Sequence, residues 1–487
     1  MLAAAGCAVG PNFRAPAPPT GNSYLAQAPP AQTEMTGGSG GVAQRFQMGD
    51  DLPGEWWTLF GSTKLDALIM EAMANYPTIA AQQAALRAAR EEVRAAQGVF
   101  SPQAQGALNG QRAQVSGASI APGFPGFITN VFQANIGVSY TFDIFGGARR
   151  ELERLRAQFV QQNFLLEGSY LTLTANVAST AVQLASVREQ IAVTRAIIAL
   201  EHQQLDLIRR QYAVGTRTRA DVLQQQSNLA SVRASLPSLQ QQLSIAAHAL
   251  AVLTGHFPRD AAPIDIELSN LKLPENVPVS LPSVLVAQRP DIRAQEALMH
   301  VASAAIGVAT ANMLPKLTLS SSGGGESLQY SSLFTAGAGV WNLSGGLIQP
   351  IFAGGTLHAK RRAAIAEFDQ AAALYRLTVL NAFQNVADTL TALDNDAQAL
   401  KAENDAVGAA KAGLDLIRRQ YDVGAVNYVS LLSAQQIYQQ SRIAYVRAVA
   451  SRYIDTITLF QALGGGWWNR NDAGTLRART PDIPRSN

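Results

Sequence analysis

Between Val131 and Asp143 apolar and polar positions alternate without a break. Phe132, Ala134, Ile136, Val138, Tyr140 and Phe142 share one parity; Gln133, Asn135, Gly137, Ser139, Thr141 and Asp143 share the other. Period two over a dozen residues predicts a strand with every apolar side chain on one face. The run exceeds the roughly 9–11 residues with which a tilted strand crosses a bilayer. A half-buried strand of a soluble sandwich alternates in the same way, so this stretch alone leaves both open. After Phe145-Gly146-Gly147 the period changes. Ala148–Ala213 holds no proline and one glycine, Gly168, and is rich in Ala, Leu, Gln, Arg and Glu. Such composition predicts one uninterrupted helix, about 100 Å long at 1.5 Å per residue. Ala and Gln recur on several of its faces, which suits helices packed side by side in a wall with one wet side.

The same order of patterns occurs twice. LDLIRRQYAVG at Leu205–Gly215 returns as LDLIRRQYDVG at Leu414–Gly424, an offset of 209, and Pro77–Pro102 aligns without a gap with Pro290–Pro315, an offset of 213. Duplication of this kind specifies architecture before chemistry. Each copy predicts a short helix, two strands, the long helix, a tight turn and a medium helix. In the first copy an amphipathic pattern at Leu65, Leu68, Ile69 and Met73 precedes a helix over Thr78–Gln97, and strands follow within 101–145. The long helix then turns at Val214-Gly215, where glycine suits a left-handed cap and Thr218 can open the next helix, to about Leu253. In the second copy the corresponding helix covers Asp291–Met313. Strands around Lys316–Ser322 and Thr335–Ile348 alternate less cleanly. A long helix over Gly355–Asp422, a turn at Val423-Gly424 and a helix to about Leu463 complete the copy. Pro237 interrupts the medium helix of the first copy only, so a kink is expected there alone. The chain thus divides into a lipobox-like N-terminus with an extended, loosely packed leader (1–50), a first repeat (51–255), a connector (256–282), a second repeat (283–466) and a disordered polar tail (467–487).

Composition narrows the function. Hydrophobic residues make up 47% and charged residues 15% of the 487, a profile of neither a disordered chain nor an ordinary soluble enzyme. The net charge of +3 is too small to imply nucleic acid. No run of eighteen apolar residues occurs, so no spanning helix is expected, while the weaker signal of barrel strands stays open. The single cysteine, Cys7, permits no internal disulfide. Its context, LAAAGCAVGPNF, resembles the end of a bacterial lipoprotein signal peptide, with Ala4 where leucine is usual and without the basic n-region, which implies a later start than the natural one or a trimmed chain. Acylated, Cys7 would anchor the chain to a membrane, and Ala8 is not the aspartate that retains such lipoproteins at the inner membrane; the alternative is a free thiol in a loose terminus. The five histidines form no i,i+3 or i,i+4 pair, and no nucleophile elbow, P-loop or dinucleotide fingerprint occurs. No enzymatic activity, cofactor or metal is expected.

Four motifs stand in order on the duplicated frame: CAVGPNF at the terminus, WWTLFGSTKLDALI at 56–69, RPDIRAQEALMHVASAAIGVATANMLPKLTL at 289–319 and QPIFAGGTLHAKR at 349–361. Over residues 7–466 the chain resembles the TolC-type outer-membrane efflux channels, in their OprM-like lipoprotein branch. The resemblance implies a mainly α fold with a membrane β-barrel. Four strands per chain would form a trimeric, twelve-stranded barrel, and the long helices an α-barrel tunnel in the periplasm. Four strands cannot close a barrel alone, which agrees with a homotrimer. The implied function is a passive exit duct for drugs or other small amphiphiles, set in outer-membrane lipid. A periplasmic adaptor (a membrane fusion protein) and an inner-membrane pump of the resistance-nodulation-division class would be its partners. Protein secretion or metal efflux is the alternative within the class, and a periplasmic coiled-coil scaffold the alternative outside it.

Residue by residue, Val214, Gly215 and Thr216, with Val423, Gly424 and Ala425, match the family's tip motif, which meets the adaptor; any helix-turn-helix would also need those glycines. Tyr421 matches the gating tyrosine. Val426 stands where some members carry arginine, and Ser430 and Ser433 where acidic side chains often ring the aperture. Asp221 and Asp422 are the acids left nearby. The expectation is a gate held by packing of Val429, Leu432 and Tyr421 more than by salt bridges. After the tip glycine the copies diverge, to TRTRAD in the first and AVNYVS in the second. Arg209-Arg210 and Arg418-Arg419 are expected on the solvated or inter-helix face of the coils, with a direct role at the aperture as the alternative. Arg149-Arg150 and Lys360-Arg361-Arg362 open the long helices, where a barrel would meet a tunnel; a solvated helix start is expected of them, with a place at the membrane's periplasmic surface as the alternative.

Overall fold

A computed structural model describes residues 8–470, apart from 22, 28, 29, 120 and 261–263. The lipidation candidate Cys7 and the tail from 471 onward lie outside the described residues. In chain order the elements are β1 (Arg45–Met48), α1 (Thr63–Asn75), α2 (Pro77–Gln97), β2 (Gln103–Val115), β3 (Phe127–Phe142), α3 (Gly147–Ala213) and α4 (Arg219–Leu253). They continue with β4 (Asn276–Val279), α5 (Pro282–Gln288), α6 (Pro290–Ala311), β5 (Lys316–Ser327), β6 (Gly339–Ile348), α7 (Thr356–Asp422) and α8 (Tyr428–Ala462). Both long helices have 67 residues and both medium helices 35. Pro237 lies inside α4 without dividing it.

The chain forms two compact units, and these cut across the repeats. One unit takes residues up to Pro16, Ala85–Gln162 and Ala294–Tyr375; the other takes Ala17–Ala84, Asn163–Arg293 and everything from Arg376.

The first unit holds a four-stranded antiparallel sheet in the order β2-β3-β5-β6, one hairpin from each repeat joined at β3–β5. Register sorts its side chains onto two unlike faces. Leu108 pairs with Ala134, Ile136 faces Gly323, Tyr140 faces Leu319, Phe142 faces Leu317, and Leu317 faces Leu347. With Val138, Trp341 and Leu343 these make an apolar face, and Leu108, Ile136, Trp341 and Leu343 are each more than 60% exposed. The opposite face carries Gln105, Asn109, Gln133, Asn135, Thr141, Thr318, Ser320, Asn342 and Ser344. Cross-strand hydrogen bonds tie it: Thr141 to Thr318 at 3.1 Å, Ser320 to Ser344 at 2.8 Å, and Gln133 Nε2 donating to Glu326 at 2.7 Å. Aromatic side chains collect at the two strand ends, Phe127, Tyr330 and Phe334 at one, Tyr140, Phe142 and Phe352 at the other. This division of apolar, polar and aromatic positions is the pattern of a membrane barrel wall.

The same unit fixes residues 9–13, within the described part of the motif that follows Cys7. Val9 N–H donates to the Phe145 carbonyl at 3.0 Å. The buried Arg150 guanidinium donates to the Val9 carbonyl, to Asn12 Oδ1 at 2.7 Å and to Glu153 at 2.7 Å. Glu153 also pairs with His300 at 2.8 Å, and the His300 ring stacks on Phe13 at 4.4 Å. Arg150, expected at a solvated helix start, is a clamp on the leader.

The second unit packs around Trp56, Phe60, Tyr453 and Phe460, all 1% exposed or less. Here the leader departs from the loosely packed chain expected of its Pro and Gly content. Its main chain is extended, but extended main chain presents carbonyls that a buried cation can bind. Arg452, fully buried on α8, donates to the Gly40 carbonyl and to Thr33 Oγ1, and Gln44 Nε2 donates to Thr456 Oγ1 at 3.1 Å. The leader strand β1 pairs in parallel with β4, which the connector supplies. The start of the tail is also held: Trp467 Nε1 donates to the Gln288 carbonyl at 2.7 Å, and Arg470 pairs with the buried Glu167 at 2.6 Å.

Candidate gate at the helical tips

Both long helices end in the same local geometry. Gly215 and Gly424 adopt φ of 78° and 77°, the left-handed conformation that glycine takes without a Cβ penalty. Each closes a Schellman turn: Thr216 N–H reaches the Gln211 carbonyl at 2.9 Å and Gly215 N–H that of Tyr212 at 3.0 Å. In the second copy Ala425 reaches Gln420 at 2.8 Å and Gly424 reaches Tyr421 at 3.0 Å. These bonds satisfy carbonyls that a helix end leaves open. Val214 and Val423 project at 73% and 80% exposure.

The following helices start with different caps. Thr218 and Asp221 form a capping box, the hydroxyl accepting from the Asp221 N–H and the carboxylate accepting from the Thr218 N–H at 3.0 Å. At the equivalent positions, 209 residues on, Asn427 Oδ1 accepts from both the N–H and the hydroxyl of Ser430. The first tip therefore keeps a carboxylate at the start of its helix, where the macrodipole favours one. The second replaces it with a neutral pair.

Behind the tips the hairpins meet in an apolar cluster. Ile208 of the first hairpin packs with Tyr421, Tyr428, Leu431 and Leu432 of the second, bordered by Val222, Leu414, Ile417 and Val426. The Tyr421 and Tyr428 rings lie 5.6 Å apart. Arg217 of the first tip places its guanidinium carbon 4.3 Å from the Tyr421 ring centroid, a cation–π contact across the hairpins. Burial raises the Tyr421 phenol above its usual range, so the ring stays neutral. Beside the cluster runs a buried polar chain. Tyr428 donates its hydroxyl to Gln225 Oε1. Gln225 Nε2 donates to Glu201 Oε2 at 2.6 Å, as does Asn228 Nδ2 at 2.9 Å, and Gln436 of α8 reaches Asn228 Oδ1 at 3.4 Å. Glu201 is 3% exposed, and burial raises its carboxyl pKa against the lowering by its two amide donors. Among the described residues no ion pair joins the two hairpins; packing, a cation–π contact and amide–hydroxyl bonds do.

The sequence model of the outer membrane efflux protein family matches residues 68–256 and 281–465, one stretch in each repeat. The chain belongs to that family. Among its relatives, the pyoverdine export outer membrane protein OpmQ of Pseudomonas aeruginosa is 30% identical, over 85% of this chain and 87% of its own. The antibiotic efflux pump outer membrane protein ArpC of Pseudomonas putida is 27% identical, over 97% of this chain and 95% of its own. Among solved structures, the outer-membrane channel OprN superposes with a TM-score of 0.85 at 23% identity, covering 95% of this chain and all of that one. The protein is thus an outer-membrane efflux component with the TolC-type fold.

Of the residues expected at the gate of this efflux protein, the structure brings Tyr421 and Leu432 together and leaves others apart. Val429 is 66% exposed and outside the cluster. It falls off the face that Tyr428, Leu431 and Leu432 share at helical spacing. Ser430 is spent on its own helix cap, Ser433 is exposed, and Asp221 caps α4. Arg217, Glu201, Gln225, Asn228 and Tyr428 escaped the sequence reading. A signal for three of them was present: 209 residues after Glu201, Gln225 and Asn228 stand Ala410, Ala434 and Ile437. Polar residues at sites where the other copy is apolar mark a buried contact that the copies do not share.

Proposed function

We propose that three copies of this chain assemble into an outer-membrane duct. The duct would receive small amphiphiles, drugs among them, from a periplasmic adaptor and an inner-membrane pump of the resistance-nodulation-division class. The observation that carries this reading is the two-faced sheet with two open edges. Antiparallel pairing throughout makes β6 run opposite to β2, so the β6 edge of one copy complements the β2 edge of the next. Three copies then close twelve strands, with the apolar face toward lipid and the polar face toward the lumen. Closure removes both the unpaired edges and the exposed apolar face from unfavourable surroundings. The exposed valines and the glycines of Val214-Gly215-Thr216 and Val423-Gly424-Ala425 are the adaptor contact. Cys7, two residues before the clamped Val9, is the acylation site. Tyr421 and the neighbouring cluster hold the periplasmic end shut. Trimers that migrate intact until heated, and that conduct as single channels in planar bilayers, are the expected result. A detergent-stable, non-conducting monomer would refute the assembly.

A further inference from the structure

The polar face of the sheet is almost free of charge. Along its four strands two ionisable side chains share that parity: Glu326 at the loop end, bound by Gln133, and Lys316 at the helix end. Lys316 does not stand alone. It borders a cavity of about 420 Å³ between the end of α6 and the first turns of α3 and α7, with Arg154 and Lys360 on the same rim. One acid, Glu151, lines it among the three cations, and a second, Glu92 of α2, bears on Arg154 without lining the cavity. Glu151 is engaged by Arg154 through two hydrogen bonds of 2.7 and 2.9 Å, and this bonding holds its carboxyl below the usual range. Both acids therefore bear on Arg154 and leave the two ammonium groups without a carboxylate partner among the described residues. Lys316 donates to the neutral Asn312 Oδ1 at 3.0 Å, and Lys360 meets no carboxylate among the described residues. Val308 and Leu357 supply an apolar floor. Uncompensated ammonium groups over an apolar surface suit a ligand with an anionic head and a hydrocarbon body.

We propose that Lys316 and Lys360, beside the Arg154–Glu151 pair, form an anion-binding collar where the strands meet the long helices. It would take the anionic head of an amphiphilic cargo on its way through the duct. The inference rests on the reading that the polar face lines the lumen; given that, it assigns a cargo class that the neutral gate and neutral wall leave unspecified. Rings of lysine or arginine make pores anion-preferring, and three copies of the cavity would place six unpaired ammonium groups at one level.

The test is the reversal potential of the reconstituted wild-type channel and of Lys316→Gln/Lys360→Gln under a potassium chloride gradient, in zwitterionic and in anionic bilayers. Both variant sites are exposed, and a heat-modifiable trimer band reports assembly; Lys360→Gln alone serves if the double variant fails to assemble. The expected result is a chloride-to-potassium permeability ratio that falls on the order of fivefold in the double variant, in either lipid. A matching loss of deoxycholate export, with ethidium export retained, would support the cargo class. Wild-type trimers that do not conduct would overturn the duct itself. Conducting channels with an unchanged ratio would overturn the collar alone. A ratio that follows lipid charge rather than the substitution would assign the cations to bilayer headgroups and overturn the lumenal collar.

Discussion

Tyr428→Phe isolates one bond of the buried chain that joins the hairpins. The substitution keeps the ring that packs against Tyr421 and removes only the hydroxyl that donates to Gln225 Oε1. Gln225 is fully buried, so no water replaces the lost donor and its amide oxygen is left bare. An unsatisfied buried acceptor costs about 1–3 kcal/mol. The bond spans α4 and α8, so this cost falls on the state in which the hairpins are together and is relieved when they part. A bias of that size changes a two-state equilibrium by about 5- to 150-fold. Open probability in planar bilayers should therefore rise by a factor in that range. Vancomycin susceptibility should rise with it in a strain whose outer-membrane channel is replaced by the variant. Ser433→Ala, at an exposed hydroxyl, is the matched control and should change neither. An open probability for Tyr428→Phe equal to that of the wild type would refute the claim that this chain latches the tips.

Gly424→Ala forces a Cβ into the left-handed region at φ 77°, at a cost of about 1–2 kcal/mol; a correspondingly lower melting temperature is expected, and an unchanged one would show that the turn relaxes freely. Arg452→Met strips the Gly40 carbonyl and Thr33 of their buried donor, so protease should cleave between residues 33 and 44 in the variant and spare the wild type. Asp396 gives a pH dependence: burial, then the neighbouring Asp455, pushes its carboxyl from the ordinary 3.8 up to about 7. A raised carboxyl pKa stabilises the fold fully below 3.8, progressively less as pH climbs, and not at all above about 7. Thermal stability should thus fall between about pH 4 and pH 7, and Asp396→Asn should flatten that fall; an equal slope in both proteins would rule this carboxyl out.

The sequence was readable where one neighbour decides each residue. Strand β3 announced itself because lipid-type and lumen-type positions alternate along it with full side chains. Strand β5 lies on the same two faces but reads poorly, because Gly323, Gly324 and Gly325 display no polarity. At Gly324 the reason is steric: a Cβ would stand 2.0 Å from the Ala134 carbonyl oxygen of β3. The helix ends were legible because caps are local, and the tip glycines fall at the positions expected. What the pattern along one chain could not show was long-range polar pairing. Arg150 read as a charge for solvent and Arg452 drew no notice, since nothing beside them in sequence reveals the carbonyls they bind. The cluster behind the tips was half legible: Tyr421 came from the family motif and Leu432 from its expected packing, while the Glu201 chain depends on Tyr428 arriving from the other hairpin.

The seam between β3 and β5 has a consequence for how the molecule comes to exist. The β2–β3 hairpin closes over a short loop, but Thr141 and Thr318, which meet across the seam, lie 177 residues apart. Contacts of such sequence separation form late, because the entropy of closing the intervening loop must be met first. During synthesis and passage across the inner membrane the N-terminal hairpin therefore waits without its partner. The broad apolar face does not exist until most of the chain has been delivered, which keeps the membrane-seeking surface from appearing before the protein has reached the membrane it belongs in.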